Sequence, residues 1–451
     1  MSLRSFLTEI EDKGEVIHIT DGLSTRFEIS AVLQEFQDGP VLLFDNVEGY
    51  TTKVVGNICG TRSRIAQSIG VDSRLLCQRL LDAMSKPVSP RIVDDGPVKE
   101  VQEKPNLHKI PVLKHFEGDA GPYITSAVIS ARSPDKKVEN VSIHRLQVLD
   151  EKHLAIRLVP RHLYRLWSMA RGEKRDLEIA ISIGLHPAVL LAAASSPPFG
   201  ISEFGIANSL LGDKLELVRC SKVDVFAPAE AELILEGRIS FAESALEGPF
   251  VDIVGTYDIQ REQPVVEVVN ILHREDYIYQ ALLPGGSEHK LLMGLPREAA
   301  IYSAVSNVVP RVNAVNLTSG GCGWLHAIIS IEKQTDGDGK NAILAAFAGH
   351  PSLKHVVIVD GDVDVFNMEE VEWAIATRFQ ADEDLIVITR ARGSTLDPSG
   401  NQRDGLTAKI GIDATRPLSD PAEKFLKAKI PLSNKIRACI EKIKTGMAKN
   451  D

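Results

Sequence analysis

The segment Lys354-His355-Val356-Val357-Ile358-Val359-Asp360 decides the fold class. Its four consecutive β-branched residues leave nothing polar to face water, so the strand must be covered on both faces, as strands of parallel sheets are. Parallel neighbours need crossover helices. The sequence supplies a helical pattern over Met368 to Arg378, followed by a second buried strand, Leu385-Ile386-Val387-Ile388. The section from about Arg311 to Ile412 therefore reads as an α/β unit.

Upstream, from about Gly121 to Ala281, the texture is β-rich. Strand-like stretches run over Tyr123 to Ala131, Val141 to Leu149, Leu177 to Ile183, Leu215 to Arg219, Ala231 to Ile239 and Val265 to Leu272. Two helices interrupt them, Arg161 to Arg171 and Ser202 to Leu211, the second ended by Gly212. Many strands joined by turns suggest a barrel or sandwich. The N-terminal part is a small α/β unit. Leu3, Phe6, Leu7 and Ile10 have helical spacing, Gly39-Pro40 opens a buried strand Val41 to Phe44, and Arg62 to Ile69 and Ser73 to Ser85 return to helix. In the tail, Ile436, Cys439, Ile440 and Ile443 form one helical stripe that needs a partner surface, the protein's own body or a second subunit.

Composition narrows the function class. The 451 residues carry a net charge of -10 with no Lys/Arg block, which argues against nucleic-acid binding. The longest apolar stretch, Ala188 to Ala194, is far short of the roughly 20 residues a membrane span needs. No apolar signal region follows Met1, and the five cysteines are scattered without a CxxC pair, so a cytoplasmic location with reduced thiols is expected. Gly320-Gly321-Cys322-Gly323 lacks the spacing of a dinucleotide loop, and Gly337-Asp338-Gly339-Lys340-Asn341 lacks that of a Walker motif; both read as turns. HExxH and GxSxG are absent.

The chemically informative stretch is Glu139-Asn140-Val141-Ser142-Ile143-His144-Arg145. Arg145 has the parity of Val141, Ile143 and Leu149 in a strand pattern, and an inward arginine requires a carboxylate. Glu247 and Asp252 flank the Gly248-Pro249 turn and could converge on it. An arginine between two carboxylates can hold one ionised while the other carries a proton. An outward Arg145 with two solvated turn carboxylates is the other reading of the same spacing.

Asn140 to Arg145, Leu235-Glu236-Gly237, Glu247-Gly248-Pro249-Phe250 and Lys409-Ile410-Gly411-Ile412-Asp413-Ala414-Thr415 resemble, in order and over nearly the whole chain, the UbiD family of reversible decarboxylases that use prenylated FMN. The resemblance implies a multidomain α/β protein. Its parts are an N-terminal α/β domain (1–118), a central split β-barrel like that of flavin reductases (119–310), a C-terminal α/β domain (311–430) and a trailing helix (431–451) in a dimer contact. It implies Asp252 as proton donor, with Glu247 and Arg145 setting its geometry. Asp252 stands where the cinnamic-acid branch has Glu and the hydroxybenzoate branch has Asp.

The resemblance also implies a cofactor site built from Asn140, Val141, Ser142, Ile143, His144, Arg145, Arg161, His162, Glu203 and Lys409. Within it Asn140, His162 and Glu203 hold a divalent ion, Mn²⁺ or Mg²⁺, that binds the cofactor phosphate, and Lys409 reaches that phosphate. Two oxygen donors and an imidazole suit such a hard ion. A potassium ion is expected nearby, with Ala193-Ala194-Ser195 as the candidate stretch. Taken alone, His162 reads as a surface or capping residue, Glu203 as a carboxylate complementing a helix dipole, and Lys409 as solvated.

His289 and Arg297 resemble the furan- and pyrrole-carboxylate branch, in which they bind substrate; alone, Arg297 reads as decorating a helix that begins near Pro296 and His289 as facing solvent. The expected substrates are CO₂ and a small aromatic or heteroaromatic acid, with furan-2,5-dicarboxylate, pyrrole-2-carboxylate or an indole carboxylate preferred over cinnamate. A flavin prenyltransferase is the expected cofactor supplier, and a homodimer or higher homo-oligomer the expected assembly. The rival reading is a flavin-binding accessory protein or flavin reductase. It has no use for the set Arg145, Glu247 and Asp252.

Overall fold

The computed structural model describes residues 1–401, 404–428 and 430–447. The strand His355–Asp360 lies inside a five-stranded sheet, parallel to His326–Glu332 on one side and to Leu406–Ala414 on the other. Val356 and Ile358 join one hydrophobic core and Val357 and Val359 another, so both faces are covered, as the uninterrupted apolar run requires. Helix Asp338–Gly349 supplies Ala342, Ile343 and Ala346 to the first core, and helix Met368–Arg378 supplies Val371 and Ala374 to the second. Leu385–Arg392, expected to be a buried strand, is the sheet's edge, pairs antiparallel to Leu406–Ala414 and leaves Leu385 and Val387 exposed. Four apolar residues do not distinguish a central strand from an edge.

The β-rich centre is a nine-stranded sheet around two long paired strands, Leu233–Glu247 and Arg261–His273. Leu177–Ile183, Val128–Arg132 and Glu139–Ile143 extend it on one side, and His153–Ile156, Leu146–Val148 and Tyr123–Ile124 on the other. Glu139–Ile143 thus ends one side while Leu146–Val148 sits on the other, with only His144 and Arg145 between them in sequence. Two residues cannot span an open sheet, so it curls until its ends meet, giving a half-barrel. Arg145, expected in mid-strand, stands instead in this seam. A second crossing, Thr125–Ala127, joins Tyr123–Ile124 to Val128–Arg132; there the Thr125 and Ser126 hydroxyls donate to the carbonyls of Leu282 and Gln280 at 2.6 Å each.

A four-stranded sheet carries the N-terminal region, with Val16–Ile19, Val41–Phe44 and Val54–Gly56 joined by Tyr279–Gln280 from far along the chain. Helix Ser287–Val305 then leads to the C-terminal sheet; Pro296 lies within it rather than at its start. Helix Asn434–Met447 closes the described chain, with Ile436 and Ile443 exposed; residues 448–451 of the expected trailing segment lie outside the described residues. Among the described residues no helix is long and apolar enough to cross a membrane.

Candidate active site

The strand Leu233–Glu247 ends in Glu247, which the core excludes from solvent. Gly248 follows at φ +95°, a conformation that glycine adopts without strain, and a side chain there would press on Gln260. The chain reverses through Pro249 into a short hairpin pairing Phe250–Val251 with Tyr257–Asp258 and carrying Asp252 in its loop. The seam lies alongside, and the Arg145 guanidinium reaches into the hairpin. Its Nε and Nη2 donate to Glu247 Oε1 and Oε2 at 2.9 and 3.0 Å, a bidentate fork, while Nη1 donates to Asp252 Oδ2 at 2.6 Å. Phe250 lies under the guanidinium, its ring centre 4.7 Å from Cζ. The three residues are therefore brought together as one network.

Three further groups complete it, and sequence reasoning missed all of them. Asp258 Oδ2 accepts from Arg145 Nη2 at 3.0 Å. The Tyr123 hydroxyl lies 3.1 Å from Gln147 Oε1 and 3.3 Å from Glu247 Oε1, and it accepts from Gly248 N at 3.0 Å. Asp258 had a usable signal, a third carboxylate in the same hairpin followed by Arg261. Tyr123 and Gln147 lie far upstream and had none.

His289, in the first turn of helix Ser287–Val305, approaches Asp252 closely enough to feel its charge, yet burial dominates and keeps the imidazole below its usual range. Its Nδ1 accepts from Gly285 N at 3.0 Å, which places the proton of the neutral ring on Nε2. Arg297 lies two turns along the same helix, over Trp324 at 5.8 Å, with Nη2 donating to Ser196 Oγ at 3.2 Å and Nε buried without a partner. Burial and then the like charge of Arg161 bring its guanidinium down to about 10. His350, stacked edge-on against Trp324, is held near 3 by burial and then by Arg297, with Lys409 and Arg161 adding to the effect. The locus is cationic, and none of the ion pairs among the described residues gives Arg297 or Arg161 a carboxylate.

Asn140, Val141 and Glu203 meet directly. Glu203 Oε1 accepts from Asn140 Nδ2 at 2.9 Å and Oε2 from Val141 N at 2.7 Å, while His162 Nδ1 lies 3.9 Å from Oε1. Strand Glu139–Ile143 and the first turns of helices His162–Gly172 and Glu203–Leu210 position them. Among the described residues no three His, Cys, Asp or Glu side chains form a metal cluster; here two such residues are completed by an amide. A carboxylate, an amide and an imidazole gathered here are donor types that fit a hard divalent ion, with Asn140 turning its Nδ2 to Glu203 and its Oδ1 to Ser142, and the unpartnered Arg297 Nε beside Arg161 fits an anion. Ser142 Oγ donates to Asn140 Oδ1 at 3.0 Å and lies 3.0 Å from His144 Nε2. His144 Nδ1 lies 3.0 Å from the Arg157 carbonyl, and burial holds its ring neutral, near 4. Ile143 packs against the core. Lys409 stands apart: its ammonium donates to the carbonyls of Pro351 and Leu353 at 2.6 and 2.7 Å, and burial lowers it to about 8.

The chain matches the three domain models of 3-octaprenyl-4-hydroxybenzoate carboxy-lyase: the N-terminal domain over residues 7–84, the Rift-related domain over 91–287 and the C-terminal domain over 290–414. It is 47% identical to the anhydromevalonate phosphate decarboxylase of Methanothermobacter thermautotrophicus over 94% of this chain and 98% of that one. Among solved structures it resembles the UbiD-class enzyme HmfF from Pelotomaculum thermopropionicum in complex with FMN, at 43% identity and a TM-score of 0.95 over 97% of this chain and 99% of that one. An evolved dimeric form of HmfF in complex with prenylated FMN gives 40% and 0.89, over 95% and 97%. With its domains matched in order and relatives spanning its length, the chain belongs to the UbiD family of prenylated-FMN decarboxylases and is a carboxy-lyase.

Proposed function

We propose that the protein decarboxylates an unsaturated acid that carries a second anionic group, with Asp252 as proton donor, and that anhydromevalonate phosphate is the first acid to test. The observation that carries this reading is the pairing, on one helix, of His289 beside Asp252 with Arg297 beside an uncompensated cationic locus. One end of such a substrate meets the acid network and the other meets a guanidinium able to grip phosphate or carboxylate. The name of the relative in M. thermautotrophicus supports phosphate. A heteroaromatic dicarboxylate such as furan-2,5-dicarboxylate is the second reading, favoured by the His289 Nε2 proton, which can be donated to a ring heteroatom.

Prenylated FMN supplies the electron sink for the breaking bond to CO₂. Asn140, His162 and Glu203 would hold Mn²⁺ or Mg²⁺, and Lys409, whose ammonium rests on the carbonyls of Pro351 and Leu353, would supply positive charge for the cofactor phosphate. Ala193-Ala194-Ser195 would be the stretch to hold a potassium ion. Glu247 fixes Arg145 through two parallel bonds, Arg145 orients Asp252 through Nη1, and Asp252 delivers its proton to the carbon that has lost CO₂. A flavin prenyltransferase supplies the cofactor, and the protein works in the cytoplasm as a homodimer or larger homo-oligomer through its C-terminal helix.

The test is CO₂ release by protein co-expressed with a flavin prenyltransferase, offered anhydromevalonate phosphate, furan-2,5-dicarboxylate, 2-furoate and cinnamate. The phosphorylated acid should turn over fastest and cinnamate slowest. Preference for cinnamate would remove the second-anion reading. Robust turnover by protein loaded only with FMN would remove the cofactor.

A further inference from the structure

The Arg145 cluster holds more charge than a proton donor and its two partners need. Asp258, 7% exposed, binds Arg145 Nη2 through Oδ2, accepts Arg261 Nη1 through Oδ1 at 2.6 Å, and has Arg157 Nε 3.6 Å from Oδ2. It closes the hairpin that carries Asp252, paired with Phe250 across the strands. Three guanidinium groups thus surround one carboxylate, and the same hairpin presents another to Arg145. The cations feel one another: Arg157 is pulled down by burial and then by Arg261.

We propose that Asp258 is a positioning residue that fixes the Nη2 side of Arg145 and offsets the surrounding positive charge, so that Asp252 can hold a proton at working pH. This rests on the reading of Asp252 as proton donor. The cluster contains Glu247, Asp252 and Asp258 against Arg145, Arg157 and Arg261, so the charges balance when all are ionised. Of the other titratable groups facing it, burial keeps His289 unprotonated, burial with Glu247 keeps the Tyr123 phenol protonated, and the carboxyl of Asp119, bonded to the backbone of Val251 in the same hairpin, is pushed up by burial. Removing the Asp258 charge leaves an excess positive charge, which favours ionised Asp252 and starves the reaction of its proton. Removing the Arg261 charge does the opposite.

The experiment compares pH profiles of kcat/KM for wild type, Asp258→Asn, Asp258→Glu and Arg261→Gln. The limb on which the donor loses its proton should move about one pH unit toward acid in Asp258→Asn and toward alkali in Arg261→Gln, and stay near wild type in Asp258→Glu. Shifts in the same direction, or no shift in either, overturn the proposal. Arg261 is 24% exposed, so Arg261→Gln decides the matter if Asp258→Asn fails to fold. A second readout needs no turnover. In protein carrying aspartate labelled with ¹³C at its carboxyl, the Asp252 signal is the one missing from Asp252→Asn, and its titration midpoint should move in the same two directions. Absence of wild-type turnover with every acid defeats the functional reading, while the carboxyl titration still decides the role of Asp258.

Discussion

Asp252→Asn separates proton delivery from everything else the residue does. In the structure Asp252 Oδ2 accepts from Arg145 Nη1 at 2.6 Å and Oδ1 accepts from Ile253 N at 2.7 Å. Asparagine keeps the first bond through its carbonyl and turns its NH₂ toward the second donor, so one bond is lost, worth about 1 kcal/mol. Arg145 stays anchored by Glu247 and Asp258, so cofactor content and fold should persist. The amide cannot surrender a proton, and losing a positioned acid costs about 10²–10⁴ in rate. At about 1.4 kcal/mol per decade, this raises the barrier by about 3–5 kcal/mol, several times the stability change. The assay is steady-state CO₂ release normalised to bound flavin, alongside a melting curve. The expected result is kcat reduced at least ~100-fold with KM and Tm nearly unchanged. A kcat within about threefold of wild type would refute the assignment, because an amide cannot substitute for a general acid. A loss that tracks missing flavin would show instead that Asp252 holds the site together.

Glu203→Gln should lower bound divalent metal and bound flavin together by ~10-fold or more, measured by elemental analysis and absorbance of purified protein; undiminished metal would remove Glu203 from the ligand set. Arg297→Ala should raise KM about 10–100-fold for a phosphorylated or dicarboxylate substrate, the worth of a charged hydrogen bond, and barely affect a monocarboxylate analogue. Equal effects on both would argue that Arg297 does not grip the second anion. Acid should unfold the apo-protein early. Burial holds His115 near 3, His186 near 4 and His350 near 3, so below about pH 6.5 the unfolded chain binds protons that the folded chain refuses. Stability is then full above pH 6.5 and falls toward pH 4 by about 1.4 kcal/mol per pH unit for each histidine. His115→Asn should flatten the decline of Tm with pH, and an unchanged slope would show that the fold admits the His115 proton.

The periodic elements were the most legible part of the sequence. Helix Met368–Arg378 begins and ends where its pattern does, and the run Val356 to Val359 announces a strand covered on both faces. Burial on the sheet's outer margin was not legible, because the edge strand Leu385–Arg392 uses the same apolar residues as an inner one. Parity alone gave Arg145 a carboxylate partner but wrongly kept it in a strand, since alternation continues through a break that only the curl of the sheet creates. Glu247 and Asp252 could be proposed because one turn joins them. Asp258, in the same hairpin, carried a signal that went unread, but Tyr123 and Gln147 enter the network through pairing across strands, and Arg297 meets Trp324 and His350 through docking of a helix on another sheet. Such contacts have no local spacing to read.

The seam in the curled sheet has a mechanical consequence. Elsewhere the half-barrel is held by backbone ladders, which tolerate a change of side chain. Where its ends meet, backbone bonds from His144 N to the Ala127 carbonyl and from Arg157 N to the Arg145 carbonyl are reinforced by the Arg145 guanidinium, which grips Glu247 at the end of the long strand and Asp258 in the hairpin. The atoms that arrange the chemistry are therefore also the clasp of the barrel. Loosening the clasp should let Leu146–Val148 and Tyr123–Ile124 exchange their amide protons faster, well before the distant C-terminal sheet responds. A search for altered activity by substitution at Arg145 would be working on the hinge pin, whereas His289 and Arg297, carried on a separate helix, can be varied with the barrel left shut.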